Sequence, residues 1–342
     1  MTFLVTRFDF RAPGAGPEAR QELFSRALDQ AAHAEAHGQA ALTLSEHHGS
    51  DDGYLPSPLT VAAAMAARTR SVPISVAALV VNLHDPVRLA EDIAVLDHLS
   101  AGRVTYTLGL GYRREEYAMF GRPWHSRADD VETAIATLRA AWAGEPVERD
   151  GRRVRVTPAP FTRPHPVLLY GGGSAAAARR AARLGLGFQP QVSDRGLLEL
   201  YRAECRRLGR EPGLVLMPPR QGPAYVFCSA DPDRFWALHG RYLLADAVAT
   251  ASWHGRLPSA VVDPSTTVEA LRAAGRYAVL TPGELVDRCR SGEIRLITSH
   301  PLCAGLPAEP SWESLRLLGE VVVPALRADA GTPVTAARSV TT

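Results

Sequence analysis

The chain has 342 residues, 46% of them apolar, and a formal net charge of +2, which leaves room for one large α/β barrel or two ordinary domains and no excess of base to hold nucleic acid. Its arginine runs, such as Arg152-Arg153, Arg179-Arg180 and Arg206-Arg207, carry no interleaved aromatic residues and read as solvated edges of helices or of a hairpin. The separated cysteines Cys205, Cys228, Cys289 and Cys303 form no CxxC pair, and neither a signal peptide nor a transmembrane-length apolar stretch is present, so a cytoplasmic protein with reduced thiols, no metal centre and no membrane partner is expected.

Apolar strand-like runs alternate with helical patterns along the chain. Phe3 to Phe8 predicts a strand and Pro17 to His37 a helix. Ala40 to Ser45 predicts a second strand, Ser57 to Thr69 a helix, and Val72 to Val81 a third strand dense enough in Val, Ile, Leu and Ala to be buried on both faces. Asp85 to Ser100 is the clearest helix: Leu89, Ile93, Leu96 and Leu99 share one face, Asp85-Pro86 starts it and Gly102 follows its end. Arg103 to Leu108 is a fourth strand, and Arg127 to Ala143 a helix with Val131, Ile135, Leu138 and Trp142 on one stripe.

A hairpin around Asp150-Gly151 comes next. Val167 to Tyr170 is a fifth strand leading through Gly171-Gly172-Gly173-Ser174 into a helix ending at Leu184. Leu186 to Val192 is a sixth strand, Arg195 to Leu208 a helix, Ala224 to Cys228 a seventh strand, and Pro232 to about Val248 a helix. Residues 249–280 show no clean period and are expected to form an insertion or lid. Gly283 to Ser291 is a short helix, Ile294 to Ser299 an eighth strand and Ser311 to Arg327 a last helix; residues 331–342 read as a flexible tail on a single domain of residues 1–330. Eight strand–helix units predict an α/β fold of the (β/α)8 TIM-barrel kind with a lid in the C-terminal third, the alternative being a doubly wound open sheet. No GxGxxG follows the first strand, which weighs against a dinucleotide fold.

In a barrel, reactive groups sit on the loops that follow the strands. Glu46-His47-His48, Asn82-Leu83-His84, Gly109 to Arg113 and Gly171 to Ser174 then share one mouth. Three glycines opening a helix present unpaired amides at its positive end, as a phosphate site requires, although glycine also serves plain tight turns. Imidazole suits proton transfer near neutral pH, although a lone histidine is as readily a cap or a core residue. Adjacent strand residues point to opposite faces, so His47 and His48 make a poor metal pair, and Asp51-Asp52, the candidate second ligand, reads as part of a solvated loop. No GxSxG marks a serine hydrolase.

Three stretches carry a family resemblance: Ser45-Glu46-His47-His48; Ala77-Ala78-Leu79-Val80-Val81 on to Pro86-Val87-Arg88-Leu89-Ala90-Glu91-Asp92 and Leu96-Asp97-His98-Leu99-Ser100-Ala101-Gly102-Arg103; and Gly109-Leu110-Gly111-Tyr112 on to Glu116 and Phe120-Gly121. Over residues 40–190 at least, the chain resembles the bacterial-luciferase-like flavin-dependent oxidoreductases. The resemblance implies that His47 assists proton transfer at the flavin, that Ala77-Ala78 is a cis peptide under the ring, and that Gly109 adjoins it. It also implies that Arg127 and Ser174 hold the phosphate, with Gly172 and Gly173 of the glycine run beside them as the candidate cradle. Two departures stand out: Gly109 replaces the reactive cysteine of luciferase, and Leu110 replaces a phosphate arginine, for which Arg113 is a candidate substitute.

The implied activity is a monooxygenase that uses reduced FMN from a separate flavin reductase, together with O2, to oxidise a small organic substrate, in a chain expected to form a homodimer. The run Gly109 to Glu116 is also typical of relatives that use the 5-deazaflavin coenzyme, so a deazaflavin-dependent reductase or dehydrogenase is the alternative, and a flavin-binding protein without turnover a third. Trp124, His125, Trp253 and His254 are candidate substrate-pocket groups.

Overall fold

The computed structural model describes residues 2–255 and 257–328. The first half runs β1 (Phe3–Phe8), α1 (Pro17–Ala36), β2 (Ala41–Leu44), α2 (Pro58–Arg68), β3 (Ile74–Val80), α3 (Pro86–Ser100), β4 (Val104–Gly109), α4 (Arg114–Met119) and α5 (Arg127–Trp142). A hairpin of β5 (Val147–Arg149) and β6 (Arg152–Val154) follows, then β7 (Leu168–Gly171), α6 (Ala175–Leu184), β8 (Gly187–Gln189) and α7 (Arg195–Arg207). The last part runs β9 (Tyr225–Cys228), α8 (Pro232–His254), α9 (Val268–Ala274), β10 (Tyr277–Leu280), α10 (Pro282–Arg290), β11 (Leu296–Ser299), α11 (Ala308–Arg316) and α12 (Val323–Ala328).

Seven strands hydrogen-bond in parallel in the order β11-β1-β2-β3-β4-β7-β8, a half-barrel sheet clothed by helices. Phe188 of β8 adds a parallel bridge to Val215. The expected seventh barrel strand, β9, does not join this ladder; it pairs in parallel with β10. Pro218, Pro219 and Pro223 lie between Val215 and β9, and a proline cannot donate to a ladder. The pair still shares a core with the large sheet: Val226, Cys228, Ala278 and Leu280 pack with Leu4 of β1 and Ile297 of β11.

α3 shows how the local sequence fixes an element. Asp85 accepts from the amides of Val87 and Arg88, Pro86 occupies the first turn, and Ala101 ends the helix in a left-handed conformation. Leu89, Ile93 and Leu96 are buried as the spacing predicts, but Leu99 is 56% exposed. On α5 the whole predicted stripe, Val131, Ile135, Leu138 and Trp142, is buried.

The segment 249–280, expected to be an unpatterned lid, holds regular structure. α8 continues to His254, with neither glycine nor proline between Val248 and Gly255 to end it sooner, and α9 and β10 follow. The expected last helix comes as α11 and α12 joined by a π-helical stretch, Leu317–Val322. The expected tail, residues 331–342, lies outside the described residues. No described helix is long and apolar enough to cross a membrane.

Candidate functional site

The site begins at an interruption in the sheet. The β3–β4 register shifts between Ala77 and Leu79, and the Ala77–Ala78 peptide is cis. A shifted register frees backbone groups that burial penalises unless they are paired. Glu46 pairs two of them. Its amide donates to Ala78 O at 3.2 Å, and its Oε2 accepts from the Val80 amide at 2.6 Å. Its Oε1 accepts from His48 Nε2 at 2.8 Å and from His84 Nε2 at 2.7 Å. Burial works to raise the Glu46 pKa, but His48, His84 and the Val80 amide outweigh it, so the carboxylate is held ionised below its ordinary value. Burial likewise works against charge on His84, and Glu46 overcomes it to raise the imidazole pKa. His48 is therefore a support for β3.

His47 faces the other way. Its Nδ1 lies 2.8 Å from Glu116 Oε1, and its Nε2 lies 3.2 Å from the Tyr112 hydroxyl. Glu116 Oε1 also accepts from the His48 amide at 3.0 Å and from Arg113 at 3.1 Å. Burial raises the Glu116 carboxyl pKa, but His47, the His48 amide and Arg113 together hold it low. Burial lowers the His47 pKa; Glu116 pulls it back up, and Arg113 and Arg11 push it down, with a net decrease. An imidazole kept neutral, with its Nδ1 proton fixed on a carboxylate, presents Nε2 as a base.

The C-terminal turn of α8 lies over this imidazole. Trp253 meets His47 edge-on at 4.8 Å between ring centroids, with the Arg11 and Arg113 guanidiniums 4.2 and 4.4 Å from its own centroid. His254 stacks on Tyr112 at 4.7 Å. Burial, then His47, Arg11 and Arg7, push the His254 pKa down to about 4. These two pocket candidates thus reach the His47 site. Trp124 stands apart, between Arg114 and Arg127 and against Tyr117. Arg113 is engaged with Glu116 and His48 O, at the His47 end of the mouth.

Gly109 lies beside the interruption: a Cβ there would sit 3.0 Å from the Ala78 Cβ. At the Gly171–Ser174 turn, Ser174 caps α6 by accepting from the Ala177 amide at 3.2 Å. Gly172 has φ +142°, and a Cβ on it would stand 2.9 Å from the Ala177 Cβ. Among the described residues the amides of Gly173, Ser174, Ala175 and Ala176 have no protein acceptor. Unpaired amides at a helix start fit a phosphate group. Arg127 donates to Trp124 O at 2.8 Å and packs on that ring at 3.9 Å, and no described contact joins it to the turn. Gln191 packs beside Gly173 and donates to Pro258 O at 2.9 Å; Pro258, with Ser193, Arg220, Leu257 and Arg276, lines a cavity of about 350 Å³.

Behind the mouth lies a buried ionic cluster that the sequence did not reveal. His300 Nε2 is 3.1 Å from Asp9 Oδ2, and Arg11 is 3.2 Å from Asp246 of α8. Asp246 also accepts from Tyr277 at 2.6 Å, and Arg7 donates to Tyr225 and Tyr54 at 2.7 and 3.0 Å. Asp246, His300 and Cys303 bring ligating atoms within 4.8 Å of one another, but these carboxylate and imidazole groups already pair with Arg11, Tyr277 and Asp9. Glu116 and Tyr112 stood inside the family-like run without an assigned role. The available signal was an acidic residue in the first turn of a helix directly after a barrel strand.

Residues 1–288 match the sequence pattern of a family described as luciferase-like monooxygenase. The chain is 24% identical over 206 residues to the alkanal monooxygenase alpha chain of Photorhabdus luminescens, covering 56% of each chain. It is 37% identical over 143 residues to the F420-dependent glucose-6-phosphate dehydrogenase of Beutenbergia cavernae, covering 40% of this chain and 42% of that one. The chain spans about half the length of the curated relatives it matches. Among solved structures, the monooxygenase RslO1 from Streptomyces bottropensis superposes with a TM-score of 0.73 at 25% identity, over 95% of this chain and 99% of that one. Members of the family are flavin-dependent monooxygenases and F420-dependent oxidoreductases.

Proposed function

Since this chain belongs to the luciferase-like monooxygenase family, we propose that it is a monooxygenase that takes reduced FMN from a separate reductase and oxidises a small organic substrate with O2. The observation that carries this reading is the position of His47. It is clamped by Glu116 at Nδ1, and the preceding residue, Glu46, is bonded to the interrupted strand at Ala78. In this reading the protein is a cytoplasmic, homodimeric enzyme folded as a single barrel-like domain, and the segment after α8 admits substrate.

Reduced FMN, when bound, supplies the electrons for oxygen activation. The chain's own residues do the rest. Ala77, Ala78 and Gly109 offer a flat, side-chain-poor floor for a ring system. The free amides after Gly172, those of Gly173 and Ser174 among them, would hold the phosphate, and Arg127 would supply the neutralising charge. His47 Nε2 accepts or returns the proton moved in the reaction, and Glu116 holds the ring in that tautomer. Trp253, fixed between two guanidiniums, shuts water out of the mouth.

Titration with photoreduced FMN tests the reading: micromolar binding is expected, and no binding below the millimolar range defeats it. A second reading, deazaflavin-dependent hydride transfer, draws on the 37% identity to the F420-dependent dehydrogenase. Coenzyme co-purified from a host that makes both separates the two by its absorption spectrum, and oxygen uptake coupled to substrate oxidation belongs to the first reading alone. A flavin-binding protein without turnover predicts tight binding and no such uptake.

A further inference from the structure

Both nitrogens of the His47 ring are engaged. Glu116 is ionised and accepts only, so the Nδ1 proton is fixed on it at 2.8 Å. Nε2 of the neutral ring is then a bare acceptor, and the group 3.2 Å from it, the Tyr112 hydroxyl, must be the donor. The flanks of the ring are covered as well. Tyr54 and Trp253 each meet it edge-on with centroids 4.8 Å away. The imidazole has no free nitrogen, whereas the phenol oxygen, with His47 and His254 beside it, keeps one lone pair for a reactant in this mouth.

Tyr112 is held for such a task. Its ring stacks on His254, with planes 28° apart, and its hydroxyl lies 3.2 Å from His47 Nε2 and 3.4 Å from His254 Nε2; because His47 Nε2 carries no proton, the phenol proton goes to His47 and the His254 nitrogen is left the donor to the phenol oxygen. Burial, then Tyr54 and Glu116, raise its pKa well above the ordinary phenol value, while Arg11 and Arg113 oppose them. The phenol stays neutral and passes a proton only in concert with its neighbour.

We propose that Tyr112 is the catalytic residue that meets the reacting atom, with His47 as its proton store and Glu116 as the positioning residue behind it. When a reactant O–H is deprotonated, its proton goes to the Tyr112 oxygen as the phenol proton passes to His47 Nε2. One O–H bond breaks and one forms at the phenol, and the positive charge appears on His47 beside Glu116. Donation to a reactant runs the same steps backwards. The charged and titratable groups facing His47 are Glu116, Tyr112, Tyr54, Arg113, Arg11 and His254; those facing Tyr112 are His47, His254, Tyr54, Glu116, Arg11 and Arg113.

The role rests on the function proposed above; the hydrogen-bond arrangement does not. Tyr112→Phe keeps the stacked ring and removes only the hydroxyl. In the ¹⁵N spectrum of the coenzyme-free protein, His47 is expected as the Nδ1–H tautomer. In Tyr112→Phe its Nε2 signal should move to the position of an unbonded ring nitrogen. The His47 pKa should rise, because the lost bond had favoured the neutral ring. With reduced FMN and substrate, kcat should fall roughly 10²-fold at unchanged KM. His47→Gln combined with Tyr112→Phe should be no worse than the poorer single variant, as in a single relay. Wild-type kcat in Tyr112→Phe overturns the proposal, as does an Nε2–H tautomer at His47. If no flavin or deazaflavin binds, the proposed function fails, while the spectra still decide whether the Glu116–His47–Tyr112 line exists.

Discussion

At the scale of single residues, Glu116 sets what His47 can do. The carboxylate raises the imidazole pKa against burial and two arginines, with a net decrease below the ordinary 6.5. Activity that needs neutral His47 should therefore persist below pH 6.5. Glu116→Gln removes the raising partner, so its acid limb should move to still lower pH, and kcat should fall by about 10²-fold as the tautomer is released. A kcat–pH profile of both proteins checks this; an acid limb displaced upward in the variant would contradict the assignment. Glu46 makes a second prediction. It serves Val80, His48 and His84 with one carboxylate, and Glu46→Ala strands all three inside the fold. A loss of about 3 kcal/mol or more in urea unfolding is expected.

Elements carry the next consequences, and the Gly171–Ser174 turn is the one to test. Gly172 adopts φ +142°, where an alanine is strained, and its new Cβ would press on Ala177. Gly172→Ala should distort the first turn of α6. The wild type should prefer FMN to riboflavin, and the variant should lose that preference while keeping riboflavin affinity, a comparison readable by fluorescence titration. Most of the elements were legible in the sequence because their signals are local: Asp85-Pro86 and Gly102 bracket α3, and Val131, Ile135, Leu138 and Trp142 name the buried face of α5. The errors fell where tertiary pairing decides. β9 has a strand's composition, but only the prolines upstream and the presence of β10 determine its partner. α9 and β10 are too short for a period to show. His47 and the glycine turn were readable as motifs. Trp253 and His254 were nominated without a target, because only the extension of α8 past Val248 carries them to His47.

On the scale of the whole molecule, opposite pKa shifts bound the pH range of stability. His84 and His300 are raised in the fold, so their contributions are complete below pH 6.5 and are lost as the pH rises through their folded values. His47 and His254 are lowered, and they cost stability as the pH falls below 6.5. Asp9, Asp246 and Glu46 are lowered too, so their contributions fade once the pH drops below the ordinary carboxylate values of 3.8 to 4.5. The urea midpoint should therefore peak near pH 6.5 and fall on both sides. His84→Gln should flatten part of the alkaline decline; an unchanged decline would remove His84 from the account. The ionic cluster also constrains the order of events during synthesis. Arg7, Asp9 and Arg11 leave the ribosome early, but Asp246 and His300 emerge more than 230 residues later. At roughly 5–20 residues per second, the nascent N-terminal segment has Arg7 with Asp9 and Arg11 with Asp52 early, but waits on the order of ten seconds or more for Asp246 and His300 to complete the cluster. Nascent chains stalled before residue 300 should remain protease-sensitive at β1, and this fold should close from its two ends together.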